Sequence, residues 1–387
     1  MKTLKLFYSN SHETKFESEV TDCVRLPDGR SAVILERTAF FSGGGGHPVD
    51  RGNLAKVPLL DVAEQDDGRI WHIMEREIPV GCLVEGEVDW EYRRSLIQHH
   101  TAEHMVSGLV RRLFGYKNVG FHMGESMVTI DFSDELNAQQ IEEVERLANI
   151  AVYDNLQVKS EYPPPKVLVN MDYRSKREIE GMVRIVSIPN IDCCACCGLH
   201  VRWTGEIGLI KLLAPQRYKG GTRLGLVCGE QALADYRMKD LETQKISGLL
   251  SARQGEISDA VKRLQDEHEE AKHKLDMAGR RVVELRCALI GEDRMPCVFE
   301  KEYDVTQLRL AAQILSEARG GLCAVFSGDD AEGYRYALGS IVEDARTAAQ
   351  KMNQELNGRG GGSERLVQGS ILSNREAIEC FFEMRQG

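Results

Sequence analysis

The chain has 387 residues, a formal net charge of −11, 42% hydrophobic residues and 28% charged residues. That length exceeds one compact domain, so about two to four units are expected, with enough apolar material for ordinary buried cores. The acidic balance excludes a histone-like nucleic-acid coat. It leaves room for a nucleic-acid substrate, which needs only a local basic surface such as Arg93 with Arg94, Arg111 with Arg112 and Lys117, or Arg217 with Lys219 and Arg223. For any one of these, solvated surface charge is the stronger reading. The apolar run in MKTLKLFYSN is too short for a signal peptide, and no stretch approaches the roughly 20 apolar residues of a membrane span. Four of the eleven cysteines crowd into Cys193–Cys197. Without a secretory signal they point to metal binding or burial rather than to disulfides, and the chain is expected in the cytoplasm, with no membrane partner.

In chain order, residues 1–90 read as short strands (LPDGRSAVILERTAFF, LLDVAEQDDGRIWHIM, LVEGEVDW) separated by Asp-Gly and Gly-rich turns, which predicts a small β-barrel. Between two of these strands lies FFSGGGGHPVDRG, Phe40–Gly52. It follows a strand but opens no helix, so neither a P-loop nor a dinucleotide fingerprint fits. Its glycines suit either close backbone approach to another group or a flexible loop.

From Tyr92 the period changes. Leu96, Ile97, Met105, Val106, Leu109, Val110 and Leu113 recur at helical spacing and stop at Gly115. A strand, GESMVTIDF, and a second amphipathic helix, DELNAQQIEEVERLANIAVYDNL, follow, with strands and loops up to about Val227, an α+β domain over 91–233. Residues 234–290 are helical. Leu250, Gln254, Ile257, Val261, Leu264, His268, Ala271, Leu275, Ala278, Val282, Leu285 and Leu289 form an uninterrupted heptad seam, predicting a helix of about 40 residues and 60 Å that pairs with another helix or spaces two domains. His268 is read as a tolerated polar seam residue. Residues 291–387 read as a small α/β domain in which Gly358–Gly362 forms a loop able to offer N–H groups to phosphate.

The sharpest chemistry is in QHHTAEH. His100 and His104, four apart, share one helix face, the geometry of two histidines binding zinc from a helix. His99 would point roughly 140° away from His104. The pattern is not HExxH, which disfavours a zinc peptidase. Cys196 and His200 repeat the spacing as C-x-x-x-H, so two pairs about a hundred residues apart compose a His/His/Cys/His set suited to Zn²⁺. Cys193, Cys194 and Cys197 are read as packing or supporting residues. Spacing leaves open whether the metal is structural or catalytic.

HHTAEH, CCGLH followed by V-x-x-TGEIG, and FFSGGGGHPVDRG together resemble the editing region of alanyl-tRNA synthetases and the free-standing, long-form AlaX-like alanyl-tRNA editing proteins. His100–His104 matches the H-[ST]-A-x-H motif. Cys196–Gly208 matches C-x-G-T-H-V-x-x-T-G-E-I-G, with Leu199 in place of threonine. Phe40–Gly52 matches F-Y-P-E-G-G-G-Q-P-x-D-x-G, with Gly43 in place of glutamate and His47 in place of glutamine. GRGGGSERLVQGSI resembles the end of a DHHA1-like domain, so the likeness covers nearly the whole chain, and a class II aminoacylation domain is not expected.

The resemblance implies hydrolysis of the aminoacyl ester of misacylated tRNA(Ala), chiefly seryl and sometimes glycyl. It implies one zinc on His100, His104, Cys196 and His200, with Gly44, Gly45 and Gly46 lining the place of the acceptor end. His122, near a polar position of the family pocket, is a candidate substrate hydrogen-bond partner and equally a satisfied buried histidine. The helical segment and C-terminal domain would hold the tRNA or a second subunit, making a homodimer. The alternative is a non-catalytic tRNA-binding or dimerisation protein with a structural zinc.

Overall fold

The computed structural model describes residues 2–124, 127–175, 181–290 and 297–384. The expected division at 290/291 and the start of the GESMVTIDF strand, at 125–126, lie outside the described residues. The fold is α+β, in two compact units, 1–244 and 245–387.

The first unit begins with a seven-stranded antiparallel sheet. Its order is Val57–Pro58, Gly52–Leu54, Leu83–Val88, Lys15–Arg25, Ser31–Leu35, Ile70–Met74 and Asp61–Glu64. The long central strand Lys15–Arg25 alternates buried and exposed over its first half, then shifts register between Val20 and Asp22, where it exchanges one neighbour for the other. A second sheet, Asn118–Met123, Val128–Phe132, Gly221–Cys228 and Ile210–Leu212, packs with the helices Trp90–Phe114 and Ala138–Tyr153. One hydrophobic core runs from Phe7, Phe16 and Phe40 through Val106 and Leu109 to Ile130 and Leu226, so the sheet of residues 15–88 and the region after it are packed as one body.

His72 is wholly buried in the first sheet. Its Nδ1 lies 2.9 Å from the Val33 carbonyl, and its Nε2 2.8 Å from the Thr38 hydroxyl. Burial pulls its pKa from 6.5 to about 4. The unfolded chain therefore binds a proton that the folded chain refuses, and His72 stabilises the fold fully only above about pH 6.5. That stabilisation falls by about 1.4 kcal/mol per unit as the pH drops toward 4. Urea unfolding should accordingly show the stability gap between the native chain and a His72→Gln variant narrowing on acidification over this window.

The helix Gly229–Leu250 crosses the boundary between the units. The predicted seam is not one helix. The chain leaves helical geometry after Leu250, with Ser251 at φ +49, and resumes at Ile257–Leu289, 33 residues or about 50 Å. The break has a local cause. Gly248, Ser251 and Gly255 are poor helix formers, and the Ser247 hydroxyl donates to the Ala252 carbonyl while the Ala252 N–H donates back to Ser247 O at 3.1 Å. Near its end the second helix buries Val283 and Cys287 with Leu308, Ala312 and Leu315 of the helix Val305–Arg319, whereas the seam residues Leu275, Val282, Leu285 and Leu289 are exposed.

The second unit carries the sheet Cys297–Phe299, Leu322–Asp329, Gly333–Ser340, Leu366–Ile371 and Gly358–Gly362, parallel at the first pair and antiparallel after it. Alternation along Leu322–Asp329 sends Cys323 and Val325 to one core, and Ala324 and Phe326 to another with Met352 and Ile378. Gly358–Gly362 is thus an edge strand, not the expected loop. Its glycines let two backbones and Tyr336 pack closely, since a Cβ at Gly360 would collide with the Tyr336 hydroxyl and the Gln368 carbonyl.

Candidate metal centre

The helix Trp90–Phe114 starts at Asp89, whose side chain accepts the Tyr92 N–H at 3.1 Å, and stops at Gly115, φ +77. Every residue from His99 to Val110 is buried, including His99, His100, Thr101, Glu103, His104 and Ser107. Buried polar groups need partners, and here each has one. His99 places Nδ1 2.8 Å from the Ser95 carbonyl and accepts the Cys228 N–H at Nε2, so it is a structural residue. Glu103 takes the Ser107 hydroxyl at 2.7 Å and the Asn118 amide.

Cys196 and His200 arrive from the hairpin Ile185–Ile188 and Asp192–Ala195 and the turn after it. Arg184 sets that turn, donating through Nη1 to the Cys196 and Gly198 carbonyls at 2.9 and 2.8 Å. Gly198 is required there, because a Cβ would overlap the His100 ring. The result brings together all four residues singled out by spacing. One ligand atom each from His100, His104, Cys196 and His200 lies within 4.8 Å of the others. The His100 and His200 rings stack at 4.3 Å, and His104 stands edge-on to both at 5.0 and 4.6 Å.

Hydrogen bonds at the other nitrogen orient the three imidazoles. His100 Nδ1 faces the Leu199 carbonyl at 3.1 Å, and His104 Nδ1 faces Asp192 Oδ2 at 3.0 Å. His200 Nδ1 faces the Thr101 hydroxyl at 3.2 Å; that hydroxyl already donates to the Ile97 carbonyl, so it can only accept. In each ring Nδ1 therefore carries the proton and Nε2 is turned to the common centre. His200 Nε2 is buried with no hydrogen-bond partner, and Cys196 Sγ is 3.5 Å from His100 Nε2. Three ring nitrogens and a sulfur converging on one buried point, with each imidazole held at its far side, form a donor set that fits zinc.

The electrostatics agree. Burial, with the charges of His100 and His104, holds His200 well below its ordinary pKa, hence neutral. Burial opposes charge on His104 too, but Cys194, Cys196 and Asp192 outweigh it and raise that pKa. Burial would push the Cys196 thiol up, yet His104, the Gly198 N–H and Arg184 bring it below its usual value. A neighbouring group, His104, Asp192 and Cys194, is not a second metal site: Arg174 already engages both Asp192 oxygens at 2.7 Å.

Asp192 is therefore a positioning group for His104, held by Arg174. Asp192→Asn is expected to weaken zinc affinity about 10- to 100-fold while leaving the chain folded, measurable by competition with a chromogenic chelator.

Gly44–Gly46 form a tight turn, closed by reciprocal Gly44–His47 backbone bonds of 3.0 Å, with Gly45 at φ +63 and Gly46 at φ +90. Of the two readings of this loop, close approach describes it. A Cβ on Gly46 would lie 2.6 Å from Phe121, and one on Gly45 3.2 Å from Cys197 Sγ. His122 is exposed. Strand alternation turns its neighbour Phe121 inward to stack on His100 at 5.5 Å.

Spacing alone passed over several residues that complete the site. His47, buried beside His100 with ring centroids 5.2 Å apart, bonds Pro48 O through Nδ1 and leaves Nε2 without a partner; burial lowers its pKa to about 4. Asp50 accepts the Phe41 N–H and pairs with Arg93, a fully buried arginine that also donates to the Ala39, Ser11 and Glu13 carbonyls. This pair ties the glycine turn to the histidine helix. Asp50 stood in the quoted motif, but nothing local named its partner.

Among the described residues, no helix is long and apolar enough to cross a membrane. Residues 183–225, which include Cys196 and His200, match the family model described as the threonyl and alanyl tRNA synthetase second additional domain. The chain is 30% identical over 412 residues to an alanine–tRNA ligase of Pyrobaculum neutrophilum, covering 98% of this chain and 44% of that protein. It is 26% identical over 395 residues to that of Methanobrevibacter smithii, covering 94% and 43%. It is 30% identical over 241 residues to the alanyl-tRNA editing protein AlaX-L of Pyrococcus horikoshii, covering 59% of each. The chain thus spans less than half the length of the ligases it matches. By sequence it is a homologue of alanine–tRNA ligases and of an AlaX-L alanyl-tRNA editing protein, and it carries their kind of second additional domain.

Proposed function

We propose that the chain is an AlaX-like trans-editing deacylase. It would hydrolyse the aminoacyl ester of misacylated tRNA(Ala), chiefly Ser-tRNA(Ala) and also Gly-tRNA(Ala), in the cytoplasm. The observation that carries this reading is the convergence of His100, His104, Cys196 and His200, with three Nδ1 atoms engaged elsewhere and His200 Nε2 buried and unpaired. These four residues would hold one zinc ion. When bound, zinc supplies Lewis-acid polarisation of an ester carbonyl or a water.

The other residues have roles of their own. An aminoacyl ester is already activated, so positioning and a polar environment suffice, and no strong nucleophile is needed. Water adds at the carbonyl carbon and the bond to the ribose oxygen breaks, releasing the amino acid and leaving the hydroxyl on the tRNA. Gly44–Gly46 would let the acceptor end approach the backbone closely. His47, neutral through burial, offers Nε2 as an acceptor for a hydroxyl or ammonium donor of the substrate. A site that bonds a hydroxyl separates seryl from alanyl esters better than one that must exclude it. His122, exposed on its strand, would act on substrate only from outside the cluster. The exposed seam on Ile257–Leu289 and the DHHA1-like residues 291–387 would provide a homodimer contact and a hold on the tRNA body.

Four protein donors are also the composition of a closed structural zinc site. That composition favours, as a second reading, a tRNA-binding or dimerisation protein without catalysis. Release of serine from Ser-tRNA(Ala) by zinc-loaded protein separates the two. Metal-dependent release supports the deacylase. Absence of release for both seryl and glycyl esters, with the protein folded and zinc-loaded, overturns it.

A further inference from the structure

A groove of about 450 Å³ lies between the start of the histidine helix and the turn that follows His200. Trp90, Trp203, Arg94 and Arg202 line it, with His12 and Glu206. Trp203 is 44% exposed, an unusual position for so large an apolar surface. Glu206 is the groove's carboxylate, and its oxygens are taken. Oε2 lies 2.6 Å from His12 Nε2, and Oε1 accepts the Arg202 and Trp203 backbone N–H groups at 3.1 and 2.9 Å. The arginines keep their charge available. Among the described residues, the Arg202 guanidinium bonds the neutral Asn10 side chain, and neither Arg202 nor Arg94 makes an ion pair.

One exposed and one half-buried indole, beside two guanidinium groups that outnumber the single Glu206 carboxylate, match a single polynucleotide strand. An aromatic face stacks any base, and a guanidinium pairs with phosphate oxygens. The groove borders the turn that carries His200. Val201 lines it, and Trp203 follows His200 by three residues, so their Cα atoms are at most about 11 Å apart.

We propose that this groove seats the single-stranded 3′ end of an RNA substrate, with bases on Trp90 or Trp203 and phosphates on Arg94 and Arg202. The identity of the strand rests on the deacylase reading of the neighbouring metal centre; the groove itself does not.

The test uses the full chain and an RNA hairpin carrying a short single-stranded 3′ extension, against the same hairpin with a blunt end. The extended hairpin should bind more tightly and quench tryptophan fluorescence. Trp203→Ala should weaken its binding about tenfold and leave the blunt hairpin unaffected. Trp203→Phe should restore most of the loss. Joint Arg94→Gln and Arg202→Gln replacement should reduce the salt slope of log K by about 1.4. Unchanged circular dichroism and zinc content show that these surface variants fold.

Equal binding of the extended hairpin by native protein and all variants overturns the proposal. So does binding of an acidic polypeptide, but not RNA, at the tryptophans. Ester hydrolysis on the same proteins separates the two readings. If native protein releases no amino acid while extension binding maps to the groove, the deacylase reading fails and the groove stands. If serine is released with the same KM by every variant, the groove fails and the deacylase reading stands.

Discussion

Replacing His104 by alanine is expected to lower zinc affinity a hundred- to a thousandfold and to abolish ester hydrolysis at ordinary zinc concentrations. A four-ligand zinc site contributes roughly 10–16 kcal/mol, so one ligand accounts for about 3–4 kcal/mol. His104 is the most exposing member to lose. Its Nδ1 is the acceptor-facing end of the Asp192–Arg174 chain, and its Nε2 faces Cys196 and His200, so truncation leaves both sides without their partner. Because its pKa is raised by Cys194, Cys196 and Asp192, binding zinc there releases a proton. Affinity in the native chain should therefore rise with pH, and the His104→Ala variant should show a shallower dependence. Competition titrations at several pH values check both statements. A variant that retains zinc with native affinity would remove His104 from the ligand set.

Asp50→Ala is expected to be the most destabilising single change in the glycine motif, by about 3–5 kcal/mol. Both side chains of the Asp50–Arg93 pair are fully buried, so removing the carboxylate strands a guanidinium in the core. It also frees the Phe41 N–H that anchors the glycine turn. Truncating Arg93 instead should cost at least as much, since it leaves the Ala39, Ser11 and Glu13 carbonyls unpaired along with Asp50. Urea unfolding of the full chain, followed by tryptophan fluorescence, measures the loss. A stability within about 0.5 kcal/mol of the native chain, the range of ordinary surface substitutions, would show that the pair does not hold the turn.

The histidine helix was legible in the sequence because its chemistry is periodic, and the partner turn because it repeats a four-residue spacing between metal-binding residue types. His100 and His104 share a face by helical spacing, and Cys196 and His200 repeat it. The strands Ser31–Leu35, Asp61–Glu64, Ile70–Met74 and Leu83–Val88 were legible from alternation and Asp-Gly turns, whereas the central strand Lys15–Arg25 was not among the expected ones. Where the reading went astray, short-range pattern gave no warning. The heptad seam passes through Ser251 without a change of period, yet the backbone there is left-handed. Gly358–Gly362 looks like a loop in sequence but is a strand, because its pairing with Leu366–Ile371 and its packing on Tyr336 are set by distant residues.

By itself the sequence determined which residues could bind a metal, since donor type and helical spacing are local properties. It also determined the α+β class, through the alternation of periods along the chain. Only the tertiary structure decided which nitrogen of each histidine faces the centre, because that depends on Leu199, Asp192 and Thr101 arriving at the far side of each ring. It alone showed that Arg93 and Asp50 are one buried pair, that Phe121 rather than His122 covers His100, and that Trp90 and Trp203 share a groove. Hydrogen-bond partners and burial are relations between segments far apart in the chain, and neither composition nor period encodes them.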